Sequence, residues 1–178
     1  MATASCATGD SSSTPKHSNG HASPLDLLRR FHKLQAARVE GYGLFEDAFN
    51  TFIAGAPLYD FNAYKQRVAE ITISFKKISE EIIHIKNSLR DTHNKGEIAA
   101  IIEKVQELEE TKLKSTADLQ ISRKNASDDP SDEVIQQEIT ALHFKLDDLA
   151  QEINEALEDL KFESEDLYAQ EMEDETSR

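Results

Sequence analysis

Residues 61–89 read FNAYKQRVAEITISFKKISEEIIHIKNSL. Within them Phe61, Tyr64, Val68, Ile71, Phe75, Ile78, Ile82, Ile85 and Leu89 alternate spacings of three and four, unbroken over 29 residues. That is the heptad period of an apolar seam between packed α-helices. A helix of this length spans about 43 Å at ~1.5 Å rise per residue. With one face this apolar it is not stable alone in water, so the stretch predicts a long helix together with partner helices that cover its seam.

Immediately upstream, Gly55-Ala56-Pro57-Leu58-Tyr59-Asp60 breaks the period. Gly suits a helix C-cap, Pro prevents continuation, and Asp60 reads as the N-cap of the helix that follows. Further back, Ser23-Pro24-Leu25-Asp26 is a helix start: a capping Ser, a Pro at the first helical position and an acid at the positive end. The helix between runs to about Ala54 on Leu28, Phe31, Gln35, Arg38, Tyr42, Phe45, Phe49 and Phe52. Gln35 and Arg38 interrupt its stripe, and Gly41 and Gly43 predict a bend near Gly41. The short connection makes the first two helices an antiparallel hairpin.

Downstream, Asp91-Thr92-His93-Asn94-Lys95-Gly96 is a turn. A third helix is expected from about Glu97 to Arg123 on Ile98, Ile101, Val105, Leu108, Lys112, Ser115 and Leu119, its apolar seam thinning after Leu108, although Leu113 can rotate in. After a polar linker over 125–130, Asp129-Pro130 reads as cap and first residue of a fourth helix. Its stripe, to about Phe162, is Ile135, Ile139, Leu142, Leu146, Leu149, Ile153, Ala156 and Leu160. Residues 1–22 are Ser, Thr, Ala and Gly with almost no large apolar side chain, and residues 163–178 hold seven acids. Neither offsets ordering entropy by burial, so both are expected to be disordered. The fold class is all-α: four long helices over 23–162 as an antiparallel bundle or coiled-coil hairpins, with disordered N- and C-terminal tails.

Composition agrees. Hydrophobic content of 38%, with six Gly and four Pro in 178 residues, fits long helices carrying narrow apolar stripes. The single cysteine, Cys6, excludes an internal disulfide. No apolar stretch reaches transmembrane length, and the N-terminus lacks the basic flank and apolar core of a secretory signal. The expectation is a nuclear or cytoplasmic protein, neither secreted nor membrane-bound. Residues 128–178 carry 18 acids against three bases, Lys145, Lys161 and Arg178, so essentially all of the net −14 resides there. Such a segment keeps the chain soluble, repels phosphate and favours basic protein partners.

The residues offer little chemistry. One Glu-x-x-His pair, Glu81-x-x-His84, falls short of the two that bundle di-iron sites need, and its flanks Ile82 and Ile85 already occupy the seam. His17, His21, His32, His93 and His143 are scattered, and no nucleophile elbow, phosphate loop or dinucleotide fingerprint occurs. The expectation is no enzyme, no cofactor, no metal and no small-molecule substrate. Arg29, Arg30, Lys33 and Arg38 form the one basic patch, with Phe31 and His32 interleaved; it would serve direct nucleic-acid binding unless Phe31 faces the core and the bases pair with acidic helix four. Leu167, Tyr168 and Met172 are small apolar anchors within the acidic tail.

Leu34-Gln35-Ala36-Ala37-Arg38, Gly55-Ala56-Pro57-Leu58-Tyr59-Asp60-Phe61-x-x-Tyr64, Gln106-Glu107-Leu108-Glu109-Glu110-Thr111-Lys112-Leu113, Thr116-Ala117-x-Leu119-Gln120 and Leu157-Glu158-Asp159-Leu160-Lys161-Phe162-Glu163 together resemble the required for excision 1-B domain family, over about residues 25–165. The Pro-x-Tyr-Asp-Phe-x-x-Tyr stretch carries the resemblance most specifically. It implies a link to DNA excision repair and no enzymatic activity, and makes Pro57, Tyr59, Asp60, Phe61 and Tyr64 the partner-binding candidates. Their structural alternative is a cap at Asp60, packing by Phe61 and Tyr64, and a brace at Tyr59. The expected function is a non-enzymatic helical adaptor or scaffold that binds a helical protein partner or a second copy. A direct nucleic-acid-binding repair factor, and a coiled-coil subunit of a trafficking or kinetochore complex, are the alternatives.

Overall fold

The computed structural model describes residues 22–169. Four long helices follow in order: α1 (Pro24–Ala54), α2 (Phe61–Asp91), α3 (Gly96–Asp128) and α4 (Glu133–Glu163). One short helical turn follows at 165–169, and there is no strand among the described residues. The expected disorder of residues 1–21, Cys6 included, and of 170–178 lies outside the described residues.

The starts follow from side-chain capping. Ser23 Oγ accepts from the Asp26 amide at 3.1 Å while the Asp26 carboxylate accepts from the Ser23 amide at 3.2 Å, a reciprocal capping box. Asp60 accepts from the Ala63 amide at 3.0 Å and starts α2. Two boundaries differ from the sequence expectation. Helix α3 continues to Asp128 instead of stopping near Arg123, because its last turns are held from outside. Arg123 donates to Glu46 at 2.7 Å, and the Tyr59 hydroxyl donates to Asp128 at 3.1 Å. Helix α4 is capped by Asp132, which accepts from the Val134 and Ile135 amides at 2.9 and 3.2 Å. Asp129, expected as that cap, instead accepts from the Ser131 amide and hydroxyl at 3.2 and 2.7 Å, so Pro130 sits in a local turn before the helix. The turn between α2 and α3 places Asn94 at φ 56°, a left-handed conformation that asparagine tolerates.

Antiparallel packing is read from paired positions. Arg30 meets Glu81 and Phe52 meets Tyr64 across α1 and α2; Lys86 meets Glu103 and Tyr64 meets Gln120 across α2 and α3. Helix α4 packs along α3. The main core gathers Leu28, Phe31 and Leu34 of α1, Ile78, Ile82, Ile85 and Leu89 of α2, Ile98, Ala99, Ile102 and Val105 of α3, and Ala156 and Leu160 of α4. It occupies the end of the bundle where α1 and α3 begin.

The seam of α2 is covered only in part. It is buried from Phe75 to Leu89, but Val68 and Ile71 are half-buried and Phe61 is 62% exposed. Helix α1 is continuous through Gly41. A Cβ on Gly41 would stand 3.1 Å from Phe75 Cζ, so the missing side chain lets that ring lie against α1. In α3, Ile102 and Glu109 are buried where Ile101 and Leu108 were expected to lead; both of the latter are half-buried. The helix packs on α1 and α2 with one face and on α4 with another, which widens its covered stripe beyond a single seam.

The segment expected to be tail from residue 163 onward begins as ordered chain. Ser164, buried, ends α4 with its amide on the Leu160 carbonyl at 3.1 Å, and Leu167 packs against the main core. Here Glu163 lies against Glu97; the hydrogen bond between the two carboxyls, with some burial and the Glu97 charge, raises Glu163 above its ordinary 4.5. A raised folded-state pKa means that the ionised pair disfavours folding at neutral pH and that the penalty fades as pH falls through the raised value toward 4.5. Glu163→Gln is therefore expected to raise the melting temperature at pH 7, with the gain over wild type shrinking toward pH 4.5; thermal melts across that range measure it.

Candidate functional site

Two groups of side chains stand out, a polar layer inside the bundle and the corner between α1 and α2. The layer sits above the main core. Arg38, 3% exposed, donates from Nη1 to Gln35 Oε1 at 2.7 Å and from Nη2 to Ser79 Oγ at 3.2 Å and Gln106 Oε1 at 2.5 Å. Gln106 returns a bond from Nε2 to the Ser79 carbonyl at 3.4 Å. Glu109, also buried, accepts from Tyr42 at 3.1 Å and from Gln35 Nε2 at 3.5 Å, and lies 3.9 Å from Lys112 Nζ. Burial works against the Arg38 charge and the Glu109 carboxylate supports it. Burial, then the Glu109 charge, pushes the Tyr42 hydroxyl far above its ordinary 10.0, so it is a fixed donor. The layer floors an open groove of about 430 Å³ between α2 and α3. Its lining mixes Lys76 and Lys86 with Glu103, Glu107 and Glu110 and gives no dominant charge.

The corner is aromatic. Phe52, buried, stacks on Tyr64 with centroids 4.6 Å apart and planes at 21°, and meets Tyr59 at 5.0 Å and the edge of Phe61 at 6.2 Å. Tyr64 donates to Gln120 Oε1 at 2.7 Å, and burial followed by the Glu46 charge raises its pKa. Tyr59 shares a hydrogen bond with Ser127 Oγ at 3.2 Å as well as reaching Asp128, and Lys124 pairs with Asp128 and stands 5.4 Å over the Tyr59 ring. On the outer side, Leu44, Phe52, Leu58 and Tyr64 line a cavity of about 420 Å³, with Asp47, Asp60 and Arg67 at its edges. Leu58 is 88% exposed. The peptide bond from Ala56 to Pro57 is cis, and Pro57 is exposed at the apex.

The structure therefore brings Tyr59, Phe61 and Tyr64 together around Phe52, with Asp60 as helix cap and Pro57 at the turn. It does not bring the four basic residues together. Arg38 is inside the polar layer, Arg30 forks onto Glu81 at 2.5 and 3.0 Å, Arg29 stands 3.9 Å from Asp26, and Lys33 is exposed. Phe31 faces the core as considered, but the partner of Arg30 is on α2 and not on acidic α4. In the tail, Leu167 packs on the core, Tyr168 is half-buried, and Met172 lies outside the described residues. Among the described residues no group of three or more His, Cys, Asp or Glu is arranged to hold a metal ion, and no helix is long and apolar enough to cross a membrane. Sequence reasoning missed Ser79, Gln106 and Glu109 as members of the layer. The signal for them was the polar break at Gln35 and Arg38, which calls for acceptors on facing helices at the same level.

No solved structure matches the chain. Two curated relatives do, each a required for excision 1-B domain-containing protein. The one from Bos taurus is 29% identical over 140 residues, 79% of this chain and 76% of its own; the one from Mus musculus is 27% identical over 139 residues, 78% and 80%. Residues 26–123, from the first turn of α1 to the Arg123 that ties α3 to α1, match the family described as DNA repair REX1-B, and the chain belongs to that family.

Proposed function

We propose that this protein is a non-enzymatic helical adaptor in DNA excision repair, acting in the nucleus by seating a helical protein partner at the corner between α1 and α2. Family membership supports the link to repair. The observation that carries the adaptor reading is the cavity of about 420 Å³ beside Leu58 and Tyr64, a hollow of mixed apolar and polar lining with a nearly free leucine at its edge. A hollow that offers aliphatic and aromatic side chains beside charged ones suits the anchor side chains of an amphipathic helix. Tyr59 and Tyr64 hold the corner to α3 from behind, so its shape is set before a partner arrives, which lowers the ordering cost of binding.

The test is the double variant Leu58→Asp with Phe61→Asp. Both side chains are exposed, so the melting temperature is expected to stay within about 2 °C of wild type. In cells lacking the protein, wild type is expected to restore survival after ultraviolet damage and the double variant to leave it at the level of the deletion. Full rescue by the variant would refute the corner as the working surface.

A further inference from the structure

The apolar stripe of α4 is continuous in sequence but not in its covering. Leu149, Ile153, Ala156 and Leu160 are buried, and Ala156 and Leu160 share the core to which α1, α2 and α3 all contribute. In the other half of the same stripe, Ile135, Ile139, Leu142 and Leu146 are each only half-buried. No Cα of α4 comes close to α1 or α2 anywhere along the helix, and only its second half reaches the shared core through side chains, which leaves α3 as the packing partner of the first half. Val134, next to Ile135, is 74% exposed. A heptad ladder with one partner leaves a flank open along its whole length, and an open flank of branched aliphatics is a seat for another helix.

Charge selects the occupant. In the first half of α4, residues 133–148, four acids, Glu133, Glu138, Asp147 and Asp148, stand against a single base, Lys145. Glu138 lies three residues after Ile135 and four before Leu142, on the edge of the ladder, and is exposed. A second copy would bring the same acids, from a chain of net −14, against these. We propose that the first half of α4 is a docking face for a basic amphipathic helix of another protein. The lining of the corner cavity includes no residue of α4, so this face stands or falls separately from the corner.

The probe is a fluorescein-labelled synthetic helix with leucine at a and d and lysine at the remaining positions, titrated onto the full chain by anisotropy at low and physiological salt. A peptide of the same composition in scrambled order isolates the requirement for an apolar face. Saturable binding by the patterned peptide, weakened about tenfold by Glu133→Lys with Glu138→Lys and again by Ile135→Ser, and unaffected by Leu58→Asp, is the expected result. The charge-reversed positions are exposed, so the variant folds as wild type does. Equal binding of the scrambled peptide, or binding unchanged in the charge-reversed variant, would overturn the proposal. So would sedimentation showing a dimer of the chain alone that Ile135→Ser dissociates, which would assign the face to a second copy.

Discussion

Phe31→Ala is expected to lower the free energy of unfolding by about 4 kcal/mol, and the melting temperature by roughly 8–16 °C, in urea and thermal melts. The ring is fully buried in a cluster built from all four helices, so its removal leaves a void that no single helix can close. Helix α1 has nowhere to shift: toward α2 it carries Arg38 and its fixed partners, and nearer its start Arg30 is held by Glu81. The comparison is Phe61→Ala, an aromatic of the same size on the adjoining helix. With Phe61 62% exposed, that change is expected to stay within about 1 kcal/mol of wild type. Equal costs at the two positions would mean that the core does not lie where the four helices converge.

Arg38→Ala is expected to cost about 3–5 kcal/mol by the same measurements, although no hydrophobic contact is the main loss. Three acceptors, Gln35 Oε1, Ser79 Oγ and Gln106 Oε1, lose their donor at once, and Glu109 loses the positive charge that offsets its own burial. Arg38→Lys is expected to recover little, because an ammonium cannot span two acceptors on different helices from one planar fork. Adding Glu109→Gln to Arg38→Ala is expected to recover about 1–2 kcal/mol, the coupling read from the double-mutant cycle. Strict additivity would mean that Glu109 does not sense Arg38.

Much of the fold was legible because the governing interactions are local or periodic. The run from Phe61 to Leu89 announces a helix needing partners, Ser23 and Asp60 mark starts through bonds from amides three residues on, and Pro24 marks one by its fixed φ at the first helical position. The end of α3 was misplaced because it depends on contacts made at a distance, and the start of α4 because two neighbouring aspartates compete for the cap. Tyr59 reaches Ser127 and Asp128 nearly 70 residues away, and Asp129, a good cap on paper, is drawn off by Ser131. The corner was legible only through family resemblance, since nothing in the spacing of Tyr59 and Tyr64 says that Phe52 will sit between them. The basic patch loses one member for a related reason: linear proximity of Arg29, Arg30, Lys33 and Arg38 ignores the ~100° turn per residue that sends Arg38 inward while the other three stay exposed, Arg30 on Glu81.

The ring of bonds around Arg38 also fixes alignment. Rods lined only with leucine and isoleucine can slide by a turn and exchange one greasy neighbour for another. In this protein a one-turn slip of α2, ~5.4 Å, would set the guanidinium opposite Phe75 or Ile82 in place of Ser79 and strand a charge among hydrocarbons. Three helices are keyed like tumblers in a lock, and only one setting leaves the corner hollow and the α4 ladder where they are.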